Sequence, residues 1–425
     1  MSKMISIIHK YNFWFQNSIE LGYERTDYLN KLVRFSGNRL IKVLVGQRRS
    51  GKSFILKQVL HQLIKNGVPP ENTLYINKEY VEFDYLTDYM QLNELISTYE
   101  IELNPQGKKY IFIDEIQNIS GWEKVINSLS QNTVDSYEIY ISGSNSQLLS
   151  GELATLLSGR YVTLQIFPFS YSEFCGFLNN APSKQSYTEF LQTGGLPELF
   201  HLADNELKRY YISAIKDTVL LRDIVQRYNI KDAKLLEDLF AFLVNNASNL
   251  ISITNIVNYF KSKNRKTNYE TVATYISYIE HTYLTHRVDR YSIRGKEILS
   301  GSCKHYSNDL AYKNYLYAGY AYGTDYLLEN AVYLQLRQAG FEVYIGAMRN
   351  AEIDFVAIKN DKILYFQVAY LLIDDTTIGR EYGAFDTIRD NYEKYVVSLD
   401  ELELPSRNGI LHVQAWKLNE LLKNR

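Results

Sequence analysis

The 425-residue chain carries 46 Lys and Arg against 48 Asp and Glu, a formal net charge of −2, with 46% hydrophobic and 22% charged residues. That length predicts about three domains with ample core, and the balanced charge excludes a globally basic nucleic-acid binder while leaving room for a local basic face. Cys175 and Cys303 lie far apart without metal-ligand spacing, which favours a reducing compartment over a disulfide framework. Residues 1–20 lack a cleavable signal pattern, and no apolar run approaches the roughly 18 residues of a membrane span. A cytoplasmic location without membrane contact is therefore expected.

Leu40 to Val45 is a largely apolar run that reads as a buried strand. Gly46-Gln47-Arg48-Arg49-Ser50-Gly51-Lys52-Ser53 follows it, a complete G-x-x-x-x-G-K-[ST] phosphate-binding loop. Behind the loop, Phe54, Ile55, Leu56, Val59, Leu60, Leu63 and Ile64 recur with helical spacing. Strand, glycine-rich turn and helix N-terminus together make an anion cradle, because backbone N–H groups and the helix dipole face the same point. The expected ligand is a nucleoside triphosphate.

Tyr110 to Ile113 forms a second short apolar strand, ending in Asp114-Glu115. In a Mg-nucleotide site Asp114 would hold the Mg²⁺ shell with the Ser53 hydroxyl as ligand, and Lys52 would neutralise β/γ-phosphate charge. Glu115 is then the general base toward water. The acidic pair, with no Asn-Lys-x-Asp guanine-reading motif in the chain, favours ATP and its hydrolysis. A third strand, Tyr137 to Ile141, runs into Ser142-Gly143-Ser144-Asn145, where Ser144 and Asn145 are candidates to read the γ-phosphate or the water; Ser144 equally suits a helix N-cap. A helical stretch, Gln147 to Leu157, leads to Ser158-Gly159-Arg160 and a strand from Tyr161 to Phe167. Arg160 is a candidate arginine finger or sensor, and an ordinary surface Arg is as good a reading.

Several segments match a known group: the loop itself, Phe112-Ile113-Asp114-Glu115-Ile116-Gln117, Gly143-Ser144-Asn145, Leu157-Ser158-Gly159-Arg160, Phe167 to Phe174, and Gly194-Gly195-Leu196-Pro197. From about residue 20 to its end the chain resembles the bacterial and archaeal AAA-like P-loop ATPases that carry a C-terminal restriction-endonuclease-like domain. The resemblance implies an α/β fold of the ASCE type, a parallel sheet with flanking helices in which another strand separates the loop strand from the Asp114 strand. It also implies a winged helix in the middle of the chain. The expected division is a P-loop ATPase domain at 1–200, a helical and winged-helix domain at 201–310 and a nuclease-like domain at 311–425.

Leu207 to Ala247 is helical by its spacing of Ile212, Ile215, Val219, Leu220 and Ile224. A helix-turn-helix candidate follows: Ser252 capping Ile253–Lys261, a turn at Asn264 to Asn268, and a second helix from Tyr269 to Tyr283. Leu284–Tyr291 and Lys296–Leu299 are candidate wing strands. Lys261, Lys263, Arg265, Lys266, Arg287, Arg290, Arg294 and Lys296 outweigh Glu270, Glu280 and Asp289 in residues 259–296, so this segment is the candidate DNA contact. The second helix offers no Arg outward, so base reading is weak and a protein-docking role is the alternative.

A helix beginning near Thr324, then strands at Phe341–Ile345, Ile353–Ile358 and Ile363–Ala369, carry Glu329, Asp354 and Gln367. This order resembles the PD-(D/E)xK nuclease core, whose acids bind Mg²⁺ and whose Lys stabilises developing charge. Ala369 stands at the lysine position, so a degenerate metal site is expected and active cleavage is disfavoured. A helix near Gly383–Tyr395 and strands at Val396–Ser398 and Gly409–Trp416 complete the domain. Together these signs favour an ATPase that couples nucleotide state to nucleic-acid contact, with an ATP-gated protein-interaction switch as the alternative.

Overall fold

The computed structural model describes residues 3–14, 19–144, 157, 159–318, 324–349, 351–423 and 425. The chain divides into two compact units, Met1–Ile166 and Phe167–Arg425.

Five parallel strands among the described residues build the first unit: β1 (Ile41–Val45), β2 (Thr73–Asn77), β3 (Lys109–Asp114), β4 (Tyr137–Gly143) and β5 (Tyr161–Gln165), in the order β2-β3-β4-β1-β5. β4 lies between the loop strand β1 and the acid strand β3, as the resemblance implies. β2 has no counterpart in the sequence reading. Parallel strands covered on both faces are near-continuously apolar, and β1, β2 and β4 are buried throughout. Lys42 is tolerated in β1 because its ammonium donates to Glu138 of β4 at 2.9 Å, both side chains being buried. Helix α1 (Lys52–Lys65) lays Ile55, Leu56, Val59 and Leu60 on the sheet face formed by Leu44, Tyr75, Phe112 and Tyr140. Each such aliphatic side chain stabilises the fold by about 1.5–3 kcal/mol.

The second unit holds a seven-stranded mixed sheet among the described residues, in the order β12-β11-β10-β9-β8-β6-β7. Its strands are β6 (Thr285–Ser292), β7 (Glu297–Ser307), β8 (Glu342–Ala347), β9 (Glu352–Lys359), β10 (Lys362–Val368), β11 (Glu393–Ser398) and β12 (Ile410–Gln414). The two helices expected at 253–283 are present as α2 (Ile253–Ser262) and α3 (Tyr269–His281). Ser252 caps the first through the amide of Asn255, and Asn268 caps the second through that of Thr271. Helix α4 (Thr324–Gln338) packs Leu328, Val332 and Leu336 into the largest apolar cluster of the unit.

Three expectations change here. The candidate wing strands form a hairpin whose second strand runs on to Ser307, and β6 also pairs in parallel with β8, so the hairpin is one edge of the larger sheet. Residues 167–200, assigned from sequence to the ATPase domain, give Phe167, Tyr171, Phe174, Tyr187 and Phe190 to the cluster that also holds Tyr306, Val332 and Phe355, all in the second unit. The helix expected at Gly383–Tyr395 lies earlier, as α5 (Asp375–Gly383). Asp374 starts it by accepting from the Thr377 amide, and a turn from Ala384 precedes β11.

The Gly194-Gly195 pair has a packing role. Gly194 has φ +85°, and a Cβ there would stand 2.1 Å from Asp309 Oδ1 and 2.9 Å from the Ala311 amide nitrogen. Asp309, wholly buried, accepts from the amides of Gly195 at 2.9 Å and Ala311 at 2.8 Å.

Candidate functional site

The C-terminal ends of the parallel strands converge on the phosphate-loop sequence. β1 delivers the chain into Gly46, whose φ is +150° and where a Cβ would meet the Ile166 carbonyl oxygen at 2.2 Å and Ser50 Oγ at 3.3 Å. Only glycine allows that approach. Arg49 (φ 65°) and Gly51 (φ +96°) continue the curl in the left-handed region. Lys52 and Ser53 then open α1, placing its dipole behind the loop. Lys52 is 4% exposed, and its Nζ donates to the Gly46 and Gln47 carbonyls at 3.0 and 2.9 Å. Ser50 Oγ is buried with no hydrogen-bond partner among the described residues. Arg48 pairs with Glu79 at 2.7 Å, and Arg49 is exposed. An inward-curled loop closed by two glycines around a buried ammonium fits a phosphate chain.

Asp114 ends β3 in full burial, with both oxygens engaged. Oδ1 accepts from the Ser142 hydroxyl, and Oδ2 accepts from Tyr75 OH and Asn77 Nδ2, each at 3.1 Å. Ser53 also bonds to it, the pairing expected of residues that would share a Mg²⁺ shell. Burial, followed by the neighbouring Glu115 charge, raises the Asp114 pKa. Glu115 turns into the left-handed region (φ 54°), which swings its side chain off the strand direction. Its carboxylate stands 3.9 Å from Lys52 Nζ and accepts from Ser144 Oγ at 3.0 Å and from the Gln117 amide. Burial opposes its charge, but Lys52 and Arg48 outweigh that and hold its pKa below the usual value. The carboxylate is ionised at neutral pH, as a water-orienting base must be.

Gly46, Lys52, Ser53, Asp114, Glu115 and Ser144 thus come together. Asn145 and Ser158, with the helix expected from Gln147, lie outside the described residues. Arg160 stands apart. Its carbonyl accepts from the Ile41 amide, at the start of β1, and it immediately precedes β5. The five residues of β1 span about 16 Å, more than an Arg side chain covers, so Arg160 sits at the end of the sheet away from its own chain's phosphate loop.

Four residues escape the sequence reading. Tyr75, Asn77 and Ser142 form the cage around Asp114, and Asn77 and Ser142 occupy strand ends in the same row. Polar residues closing otherwise apolar strands were the available signal. Arg25, 2% exposed, braces the loop by donating to the Ser50 carbonyl at 2.9 Å; 25 residues of separation leave no signal for it.

Glu329, Asp354 and Gln367, expected from sequence to form a metal triad, lie near one another with an unforeseen neighbour. Lys304 of β7, almost fully buried, points its ammonium at Glu329 (3.1 Å), Glu352 (2.9 Å) and Asp354 (3.8 Å). Tyr306 donates to Glu329 at 2.6 Å, and Gln367 spends its amide group on Glu381 at 3.0 Å. Burial and then the Glu329 charge push Asp354 up to about 8. Among the described residues no group of three His, Cys, Asp or Glu side chains is arranged to hold a metal ion. Glu329 and Asp354, expected to hold Mg²⁺, thus stand with Glu352 around the Lys304 ammonium.

In the basic segment, Arg265 is tied to Asp232 and Asp238 at 2.8 and 3.0 Å, and Arg287 to Asp289 at 2.8 Å. Lys261, Lys263, Lys266, Arg294 and Lys296 are exposed. Among the described residues no helix is long and apolar enough to cross a membrane.

Residues 38–175 match the model of an AAA domain, and residues 184–320 match a domain of unknown function. An uncharacterized protein of Haemophilus influenzae is 36% identical over 402 residues, covering 93% of this chain and 98% of its own. An uncharacterized protein of Methanocaldococcus jannaschii is 32% identical over 361 residues, covering 81% and 78%. Among solved structures, a Walker-type ATPase of Pyrococcus abyssi aligns with a TM-score of 0.50 at 14% identity, over 69% of this chain and 95% of its own, a likeness of fold.

Proposed function

Starting from the fact that the chain belongs to the AAA-domain family of its bacterial and archaeal relatives, we propose that it binds MgATP at Gly46–Ser53 and hydrolyses it. The observation that carries this reading is the meeting of Lys52, Asp114 and Glu115 at one end of the parallel sheet, with Glu115 Oε1 3.9 Å from the Lys52 ammonium.

The loop amides and Lys52 bind and orient the β- and γ-phosphates, with Gln47, Arg48, Arg49, Ser50 and Gly51 as the rest of the cradle. Mg²⁺, held by the Ser53 hydroxyl and Asp114, would neutralise phosphate charge. Tyr75, Asn77 and Ser142 fix the Asp114 carboxylate. Glu115 takes the proton of the attacking water. Ser144 and Gln117 aim its carboxylate, so they are positioning residues. A finger role for Arg160, at the far end of the sheet, falls to the site of a second copy.

The second unit is the output side of the reading. We take α2, α3 and the β6–β7 hairpin as a winged-helix arrangement, with Lys261, Lys263, Lys266, Arg294 and Lys296 as phosphate contacts on DNA. The helix-plus-strands arrangement of 324–368 is read as a nuclease-like fold without metal chemistry, because Lys304 fills the acidic cluster. A protein-docking switch is the second reading, favoured by the acid pairing of Arg265 and Arg287.

MgATP turnover by wild type and Glu115→Gln, each with and without duplex DNA, is the test. General-base loss lowers kcat by about 10²–10⁴-fold, with ATP affinity retained. DNA-stimulated turnover supports the DNA-coupled machine; turnover indifferent to DNA transfers the output to a protein partner. An unaffected Glu115→Gln rate removes the hydrolytic assignment.

A further inference from the structure

On β7, alternate residues serve different neighbours. Lys304 and Tyr306 face the carboxylates of Glu329 and its companions, whereas Gly301, Cys303 and His305 line a cavity of about 210 Å³ with residues of α2 and α3. Two-residue spacing on a strand explains the division. In that cavity Cys303 Sγ lies 4.0 Å from His305 Nδ1, and His305 Nε2 lies 2.9 Å from Glu280 Oε1 of α3. Arg287 of β6 lines the same space, and its charge acts on both Cys303 and Glu280. The isolated bridge from Ile251 to Cys303 holds the strand in register at this point. Thiol, imidazole and carboxylate stand in a row against open volume, with a guanidinium beside them.

We propose that Cys303 is a nucleophilic thiol that reacts with a small peroxide entering this cavity, activated by the His305–Glu280 pair. The groups facing the thiol are His305 on its own strand, Glu280 from α3, and Arg287 with its partner Asp289 from β6. Burial opposes charge on His305, but its bonds to Cys303 and Glu280 raise its pKa to about 9, so a cationic imidazolium stands beside the sulfur near neutrality. In the reaction the thiolate attacks one peroxide oxygen and an S–O bond forms as the O–O bond breaks. The departing hydroxide takes the Nδ1 proton of His305, giving water. Sulfur is oxidised by two electrons to the sulfenic acid and the peroxide is reduced.

Cys175 is the internal control. It is also buried, but in an aromatic cluster with Tyr171, Phe174 and Phe190, and burial pushes its thiol pKa up. The experiment treats the folded full-length chain with iodoacetamide between pH 6 and 9, and separately with hydrogen peroxide followed by a sulfenate-trapping dione. Peptide mass spectrometry reads both cysteines. At pH 7 Cys303 should react at least about tenfold faster than Cys175 and should be the cysteine that the dione traps. Glu280→Gln, a partly exposed position suited to retaining the fold, should remove most of that advantage. Equal labelling of the two cysteines, or an undiminished Cys303 rate in Glu280→Gln, overturns the proposal.

Discussion

Glu115 and Asp114 are adjacent in sequence and opposite in environment. Asp114 is caged by three donors from neighbouring strands, while Glu115, turned aside by a positive φ, faces Lys52. Sequence order gave both acids and the lysine, because a motif fixes residue type and spacing. It was silent on Tyr75, Asn77 and Arg25, because contacts across strands leave no local pattern. His286 shows the same limit. It is enclosed between the rings of Phe167 and Tyr333 and bonded to Asn308 at 2.7 Å. Burial lowers its pKa to about 4. Between about pH 4 and 6.5 the unfolded chain therefore binds an extra proton at this site, so the share of stability owed to His286 rises with pH across that window and is lost on acidification. That share is about 3 kcal/mol. Urea unfolding of wild type and of His286→Gln, which keeps a donor toward Asn308, should give slopes against pH that differ by about one proton in this range. An unchanged slope would assign acid sensitivity elsewhere.

Strands and helices with strong periodicity were read nearly to their ends. β1, β3 and β4, the capped helix α2 and helix α4 all stand close to where apolar spacing and capping residues put them. The misplaced element was α5, whose start depends on one Asp cap rather than on an apolar repeat. Pairing was legible least. Nothing local says that β6 meets β8, or that β7 sends Lys304 among Glu329, Glu352 and Asp354. The Gly194-Gly195 pair lies between these extremes: visible as a motif, explicable only through Asp309. Gly194→Ala should cost about 2–4 kcal/mol, since it combines a positive φ with a carboxylate oxygen 2.1 Å from the new Cβ. Differential scanning calorimetry should register it in the unfolding of the second unit. A thermal shift below one degree would mean that Asp309 yields freely.

The chain-wide charge of −2 conceals a local surplus in the second unit. Of the eight basic residues in 259–296, the structure neutralises Arg265 and Arg287 with aspartates and leaves Lys261, Lys263, Lys266, Arg294 and Lys296 exposed. Coulomb attraction between such groups and a duplex is set by counterion release, so each phosphate contact steepens the dependence of log Kd on log salt by about 0.9. Lys261, Lys263 and Lys266 follow one another at the end of α2 and the turn after it, outside the core of the unit. Changing all three to Glu leaves the packed residues Ile256, Val257 and Phe260 untouched. The triple variant should keep basal MgATP turnover, weaken duplex binding at low salt and reduce the salt slope by about 3. Fluorescence anisotropy over a salt series measures this directly. A slope that survives the three substitutions would remove this segment from the nucleic-acid reading. Loss of duplex binding with a wild-type basal rate would separate the output surface from the nucleotide site, the division of labour expected of an ATPase whose second unit reads the partner.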